Sequence, residues 1–159
     1  MNTLVEDVEA IVQSEGPIHR RAVCRRICDI YCFEKTGNRI EEIVREAIRI
    51  SVREDRVVRK GEFLWPSGKH KAKARVPEDG ESVREVEEVA IEELAAAMEW
   101  VLARDYGLAA NQLVKEAANL MGYKATSQVT SRFQEGLNWL FDQGYVKHYK
   151  DQVVLSQKT

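Results

Sequence analysis

Arg39-Ile40-Glu41-Glu42-Ile43-Val44-Arg45-Glu46-Ala47-Ile48-Arg49-Ile50-Ser51-Val52-Arg53-Glu54, followed at once by Asp55-Arg56-Val57-Val58-Arg59-Lys60-Gly61-Glu62-Phe63-Leu64-Trp65, is the stretch that decides the fold. In its first part Ile40, Ile43, Val44, Ala47 and Ile48 recur every three or four residues, which predicts a helix from about Arg39 to Glu54 with one apolar stripe turned inward. Asp55 ends it. The second part predicts a strand, a turn at Lys60-Gly61 and a return strand through Phe63-Leu64-Trp65. A charged helix that runs into a short hairpin is half of a recognisable plan.

The other half lies upstream. Leu4, Val5, Val8, Ile11 and Val12 mark a first helix, with Thr3 and Glu6 spaced as a capping box and Gly16-Pro17 as its stop. Val23, Ile27, Ile30 and Tyr31 mark a second helix from about His19 to Phe33, and Lys35-Thr36-Gly37-Asn38 is turn chemistry. The same order then returns about 90 residues on. Ser82 and Glu85 are placed to cap a long helix from Val83 to Arg104, with Val86, Val89, Ala90, Leu94, Ala97, Met98, Val101 and Leu102 inward. Leu113 to Met121 reads as the next helix, and Val129 to Phe141 as the one after, stopped at Gly144. Tyr145 to Tyr149 and Gln152 to Leu155 form a hairpin around Lys150-Asp151. Gly16 matches Gly107, and Phe63 matches Val153.

Three helices closed by a hairpin is the winged-helix plan. The expected fold class is therefore mainly α with small β-hairpins (α+β), as two tandem winged-helix-like domains. Residues 1–65 form the first and 83–159 the second, joined by a basic, Pro/Gly-containing linker over 66–82.

Charge separates the two copies. The net charge of −2 conceals a balance of +8 over residues 17–77 and −8 over residues 78–105. Arg45, Arg49 and Arg53 stand opposite the apolar stripe of the third helix, with Arg39 at its start and Arg56, Arg59 and Lys60 at the hairpin. Such a row can follow a phosphate backbone. The competing reading is a solvated face, because Glu41, Glu42, Glu46 and Glu54 are interleaved and can pair with it. Lys69, Lys71, Lys73 and Arg75 form a second basic run: either a tether that grips nucleic acid or a segment neutralised by the acidic helix after it.

Other features point away from chemistry. Cys24, Cys28 and Cys32 share one helix edge, where small buried hydrophobes are a simpler account than a metal site. Phe63, Trp65, Trp100, Phe133, Trp139 and Phe141 fall at expected core or strand positions; Trp65 could stack on a base from the wing end, but core or interdomain packing is the favoured account of it. Gly68-Lys69 lacks the upstream glycine of a phosphate loop. No lysine follows an acid by two residues, and no His-Glu-x-x-His, Cys-x-x-Cys or Gly-x-Ser-x-Gly occurs. Neither an enzyme nor a cofactor is expected. The odd count of three cysteines suits a reducing cytoplasm, and no apolar run or secretory signal suggests a membrane.

A resemblance adds context. Glu15-Gly16-Pro17-Ile18-His19, Arg25-Arg26-Ile27, Gly37-Asn38-Arg39, Gly61-Glu62-Phe63-Leu64-Trp65 and Ala74-Arg75-Val76-Pro77 resemble an uncharacterised domain family found at the C-terminal end of large bacterial superfamily-one helicase-like proteins, several with a restriction-endonuclease-like domain. Val89 to Leu94, Leu113 to Glu116 and Met121-Gly122-Tyr123 are similar as well. The resemblance implies an accessory module whose motor and nuclease activities lie in other domains. Weak, sequence-tolerant DNA binding is the expected function, through Arg39, Arg45, Arg49, Arg53, Arg56, Arg59, Lys60, Lys69, Lys71, Lys73 and Arg75. The alternative is a protein-interaction or homodimerisation module, with the helicase-like parent among its partners.

Overall fold

The computed structural model describes residues 2–32, 37–68, 71–77 and 83–156. Expectations resting on Phe33, on Lys35-Thr36, on Lys69-His70 and on Ser82 lie outside the described residues. The chain divides into two compact units, Met1–His70 and Lys71–Thr159. Both are mainly helical and closed by small antiparallel hairpins.

The first unit runs α1 (Asn2–Glu15), β1 (Ile18–His19), α2 (Arg20–Ile30), α3 (Asn38–Arg53), β2 (Val57–Lys60) and β3 (Phe63–Pro66). Its core gathers Val5, Val8 and Val12 from α1, Val23 and Ile27 from α2, and Val44, Ala47 and Ile48 from α3. Ile18, Val57 and Leu64 close it from the strands. Thr3 lies inside α1, so it does not cap that helix. Two stripe assignments also shift. Ile43 is 42% exposed, because the line Val44–Ala47–Ile48 takes the inward face and leaves Ile43 on its flank. Ile30 and Tyr31 are exposed where α2 ends, and the Tyr31 hydroxyl donates to Asp7 Oδ2 at 2.6 Å.

The sheet has three strands in the order β1-β3-β2, with Ile18 opposite Leu64 and His19 opposite Phe63. The two-residue strand β1 has no periodicity to betray it. Gly16 is what lets the chain reach β3. A Cβ there would strike the Val12 carbonyl oxygen and sit 2.6 Å from Pro66 Cδ.

The second unit runs from the segment Lys71–Pro77 through a single 3-10 turn (Val86–Glu88), α4 (Ile91–Asp105), α5 (Ala110–Leu120), α6 (Ser127–Asp142), β4 (Val146–Tyr149) and β5 (Gln152–Leu155). It repeats the first unit closely. The helices α3 and α6 are each 16 residues long and start at 38 and 127; α2 and α5 are each 11 long and start at 20 and 110. Leu108 bridges Val153, the place that β1 holds against β3. Gly107 repeats the close approach of Gly16: a Cβ there would lie 3.0 Å from Gln152 Oε1 and 3.1 Å from Val154 Cγ1.

The long helix expected over Val83–Arg104 is broken. Val89 and Ala90 are extended, at ψ 127° and 142°, and α4 begins only at Ile91. The cause is Arg132 of α6, whose guanidinium donates to the Val89 carbonyl at 2.8 Å and to the Val86 carbonyl at 3.4 Å. The Tyr123 hydroxyl takes the Arg84 carbonyl at 2.6 Å. Distant side chains thus use acceptors that a continuous helix would need for itself.

The linker expected over 66–82 is partly absorbed into the units. Pro66 completes β3; Ala72 is buried, and Ala74 packs on the core of the second unit. Among the described residues no helix is long and apolar enough to cross a membrane.

Candidate nucleic-acid interface

A cleft of about 240 Å³ opens in the first unit where the start of α2, the outer face of α3 and the hairpin meet. Arg20, Arg21, Arg45 and Arg59 line it, with Glu41 and Glu62 as its acids and Cys24, Val44 and Ile48 as its floor. The antiparallel register of β1 with β3 explains the meeting. It brings residues 19–21 alongside the turn at Gly61-Glu62, and the Arg20 amide donates to the Glu62 carbonyl at 2.9 Å.

His19 starts α2. It is buried, its Nδ1 accepts from the Arg21 amide at 3.1 Å, and its ring meets Phe63 edge-on at 5.2 Å. Two arginines in the first turn then oppose the helix dipole, which favours acids there. Helix stability does not account for them; both line the cleft. Glu62 offsets part of it by pairing with Arg20, whose guanidinium holds the Glu62 carboxyl below its usual range.

The row on α3 is unequal. Arg49 donates to Glu46 at 2.9 Å, and that bond keeps the Glu46 carboxyl below its usual range. Arg45 turns into the cleft. Arg39, Arg45 and Arg53 are exposed and form no ion pair among the described residues. Arg56 is tied down instead, at 2.9 Å to Glu9 and 3.0 Å to Glu54. On the hairpin, Arg59 donates to the Gly61 carbonyl at 2.9 Å, and the Lys60 ammonium lies 4.3 Å over the Trp65 ring. Trp65 is fully buried, so stacking on a base is closed to it. Trp100, expected in the core, is 52% exposed beside Arg104.

The second basic run takes the internally neutralised course where it is described. Arg75 donates to Glu93 Oε1 through its amide at 3.1 Å and its Nε at 3.4 Å. Arg84 adds bonds of 2.6 and 3.0 Å to the same carboxylate, which is 1% exposed. Lys71 approaches Glu99 at 3.8 Å, and Lys73 is exposed. Lys69 lies outside the described residues.

Two of the three cysteines behave as the packing residues expected, and the third does not, because it lies beyond the end of α2. Cys24 and Cys28 are buried and Cys32 is exposed. Burial pushes the Cys24 thiol up to about 11, with Cys28 beside it adding to the shift. A thiol that holds its proton so firmly is a poor nucleophile and metal ligand. Among the described residues no group of three or more His, Cys, Asp or Glu is arranged to hold a metal.

Arg20 and Arg21 are the residues that sequence reasoning passed over. They are far in sequence from the α3 row, and β1, which joins them to it, leaves no pattern. The one local signal is a pair of arginines placed directly after a capping histidine, where acids would be ordinary.

A family described as a protein of unknown function (DUF3320) is matched over residues 1–42, which covers α1, β1, α2 and the start of α3. The motifs Glu15 to His19, Arg25 to Ile27 and Gly37 to Arg39 fall inside that match; Gly61 to Trp65 and the second unit fall outside it. No curated protein matches the chain. No solved structure matches it either.

Proposed function

We propose that both units are winged helices and that the first is a non-enzymatic DNA-binding module, an accessory to a helicase-like DNA-processing protein of the bacterial cytoplasm. The order helix, strand, helix, helix, hairpin, with the sheet order β1-β3-β2, supports the fold assignment. The observation that carries the function is the cleft in which Arg20, Arg21, Arg45 and Arg59 converge from three elements. Guanidinium groups suit phosphate because they offer several donors in one plane. On this reading α3 lies along the duplex, Arg39, Arg45 and Arg53 meet phosphates, and Arg59 and Lys60 meet the neighbouring backbone from the wing. The binding is weak, salt-sensitive and tolerant of sequence as far as this unit is concerned.

The test is a titration of fluorescent duplex and single-stranded DNA with the wild-type chain and with an Arg21→Glu/Arg45→Glu variant at low salt. Reversing two cleft charges is expected to weaken duplex binding by about ten-fold or more at low salt. Equal affinity for both proteins would defeat the proposal.

A second reading has an observation of its own. In the second unit Trp100, Ala96, Ala103, Leu120 and Leu155 border a cleft of about 600 Å³, a surface suited to a protein partner or a second copy. Light scattering on the purified chain tests the homodimer directly.

A further inference from the structure

The arginine cleft of the first unit has no counterpart in the second, although the two units repeat one scaffold. The helices α2 and α5 start at 20 and 110, α3 and α6 at 38 and 127, and the strands β2 and β4 at 57 and 146. Arg20 and Arg21 therefore stand where α5 has Ala110 and Asn111, Arg45 where α6 has Gln134, and Arg59 where β4 has His148. The second unit packs its core without an arginine at any of these positions. Packing thus does not explain why four of them converge in the first. The charged residues that line the cleft are those four and Glu41 and Glu62, four guanidiniums against two carboxylates, a surplus of two positive charges. Cys24 in the floor holds its proton at neutral pH and adds no charge. Arg21 and Arg45 form no ion pair among the described residues. Arg20 and Arg59 are bonded through Nε, to Glu62 and to the Gly61 carbonyl, and their terminal nitrogens make no hydrogen bond among the described residues.

We infer that this cleft seats the terminal phosphate of a DNA strand, so that the first unit prefers phosphate-bearing ends to continuous duplex. A phosphodiester within a strand carries about one negative charge. A phosphomonoester carries about 1.5 to 2 at neutral pH and presents three acceptor oxygens. Its charge matches the surplus of two, and its oxygens suit guanidinium forks that arrive from α2, α3 and the hairpin. A monoester is also tethered on one side only. It can enter a recess walled on three sides without the strand having to leave through a wall. Arg39 and Arg53 lie on α3 outside the cleft and are left for the diesters of the adjoining duplex. A 5′ and a 3′ terminal phosphate offer the same chemistry. The inference rests on the DNA-binding reading of the first unit and names the group that its cleft takes.

The experiment compares duplexes of one sequence by competition anisotropy with the full chain at low salt: one with 5′-phosphate ends, one with 3′-phosphate ends, one with hydroxyl ends only, and a closed dumbbell without ends. The wild type is expected to prefer a phosphate-bearing duplex about ten-fold or more over the hydroxyl-ended duplex and the dumbbell. Which of the two phosphate duplexes wins identifies the strand end. Arg21→Ala/Arg45→Ala is expected to lose the preference and bind every duplex alike. Arg39→Ala/Arg53→Ala is expected to weaken all of them by a similar factor and keep the preference. Circular dichroism checks that both variants fold, and the wild-type comparison decides the inference without them. A dumbbell or hydroxyl-ended duplex bound as tightly as the phosphate-ended ones overturns the inference and leaves the DNA-binding reading standing. So does a preference that survives Arg21→Ala/Arg45→Ala. A phosphoserine peptide bound more tightly than any duplex would assign the cleft to a protein partner and overturn the inference as well. Absence of binding to every duplex overturns both.

Discussion

Replacing Arg45 and Arg53 by alanine tests the charge assignment through a quantity that does not depend on absolute affinity. Among the described residues of the first unit, Arg21, Arg39, Arg45, Arg53 and Lys60 form no salt bridge, and Arg59 donates to the Gly61 carbonyl with Glu62 nearby. If about six such cations displace counterions, log K against log salt falls with a slope of about −5. Raising salt from about 50 to about 200 mM then weakens binding roughly a thousand-fold. Removing two contacts brings the slope to about −3.6 and the same salt step to about a hundred-fold. Arg56→Ala is the control. Arg56 is held by Glu9 and Glu54, so its loss is expected to leave the slope unchanged. Fluorescence anisotropy of a labelled duplex across a salt series measures all three proteins. Coincident slopes for wild type and the double variant would refute the assignment. So would an Arg56→Ala slope as shallow as that of the double variant.

Three further outcomes follow from the packing. Glu93→Ala is expected to destabilise the second unit by roughly 2–4 kcal/mol in urea denaturation. It removes a carboxylate 1% exposed, yet Arg75 and Arg84 at 41% and 31% can partly return to water, which keeps the loss below that of a fully buried pair. A loss under about 0.5 kcal/mol would show that the cluster is not held as described. Gly136→Ala is expected to be close to neutral, because about 1 kcal/mol of helix propensity offsets the push on Met98 Cε, 3.0 Å from the added Cβ. Gly136→Leu has no such room and is expected to cost more than about 2 kcal/mol by the same denaturation assay.

The third concerns Cys24. Its folded thiol, at about 11 against an ordinary 9.0, keeps its proton where the unfolded chain has lost it. That contribution to stability is complete below pH 9 and is lost as pH rises through 11. Denaturation midpoints between these values are expected to fall less for Cys24→Ala than for the wild type. At pH 8 a thiol reagent is expected to label exposed Cys32 much faster than buried Cys24.

The amino-acid sequence by itself determined most of the helices and both hairpins. Apolar spacing such as Val44–Ala47–Ile48 or Phe133–Leu137–Leu140 is a local record of which face must leave water, and it survives any arrangement of the elements. It also recorded the charge difference between the copies. The tertiary structure decided what spacing cannot carry. Strand β1 exists because Ile18 and His19 find partners on β3 some 45 residues away. Through that pairing Arg20 and Arg21 reach the same cleft as Arg45 and Arg59. The helix expected over Val83–Arg104 is interrupted because Arg132, on another helix, takes its carbonyls. Which basic residues remain available is likewise a matter of distant partners: Glu9 for Arg56 and Glu93 for Arg75. Apolar burial is written residue by residue along the chain, whereas hydrogen bonds and ion pairs depend on which groups the fold brings within 3 or 4 Å.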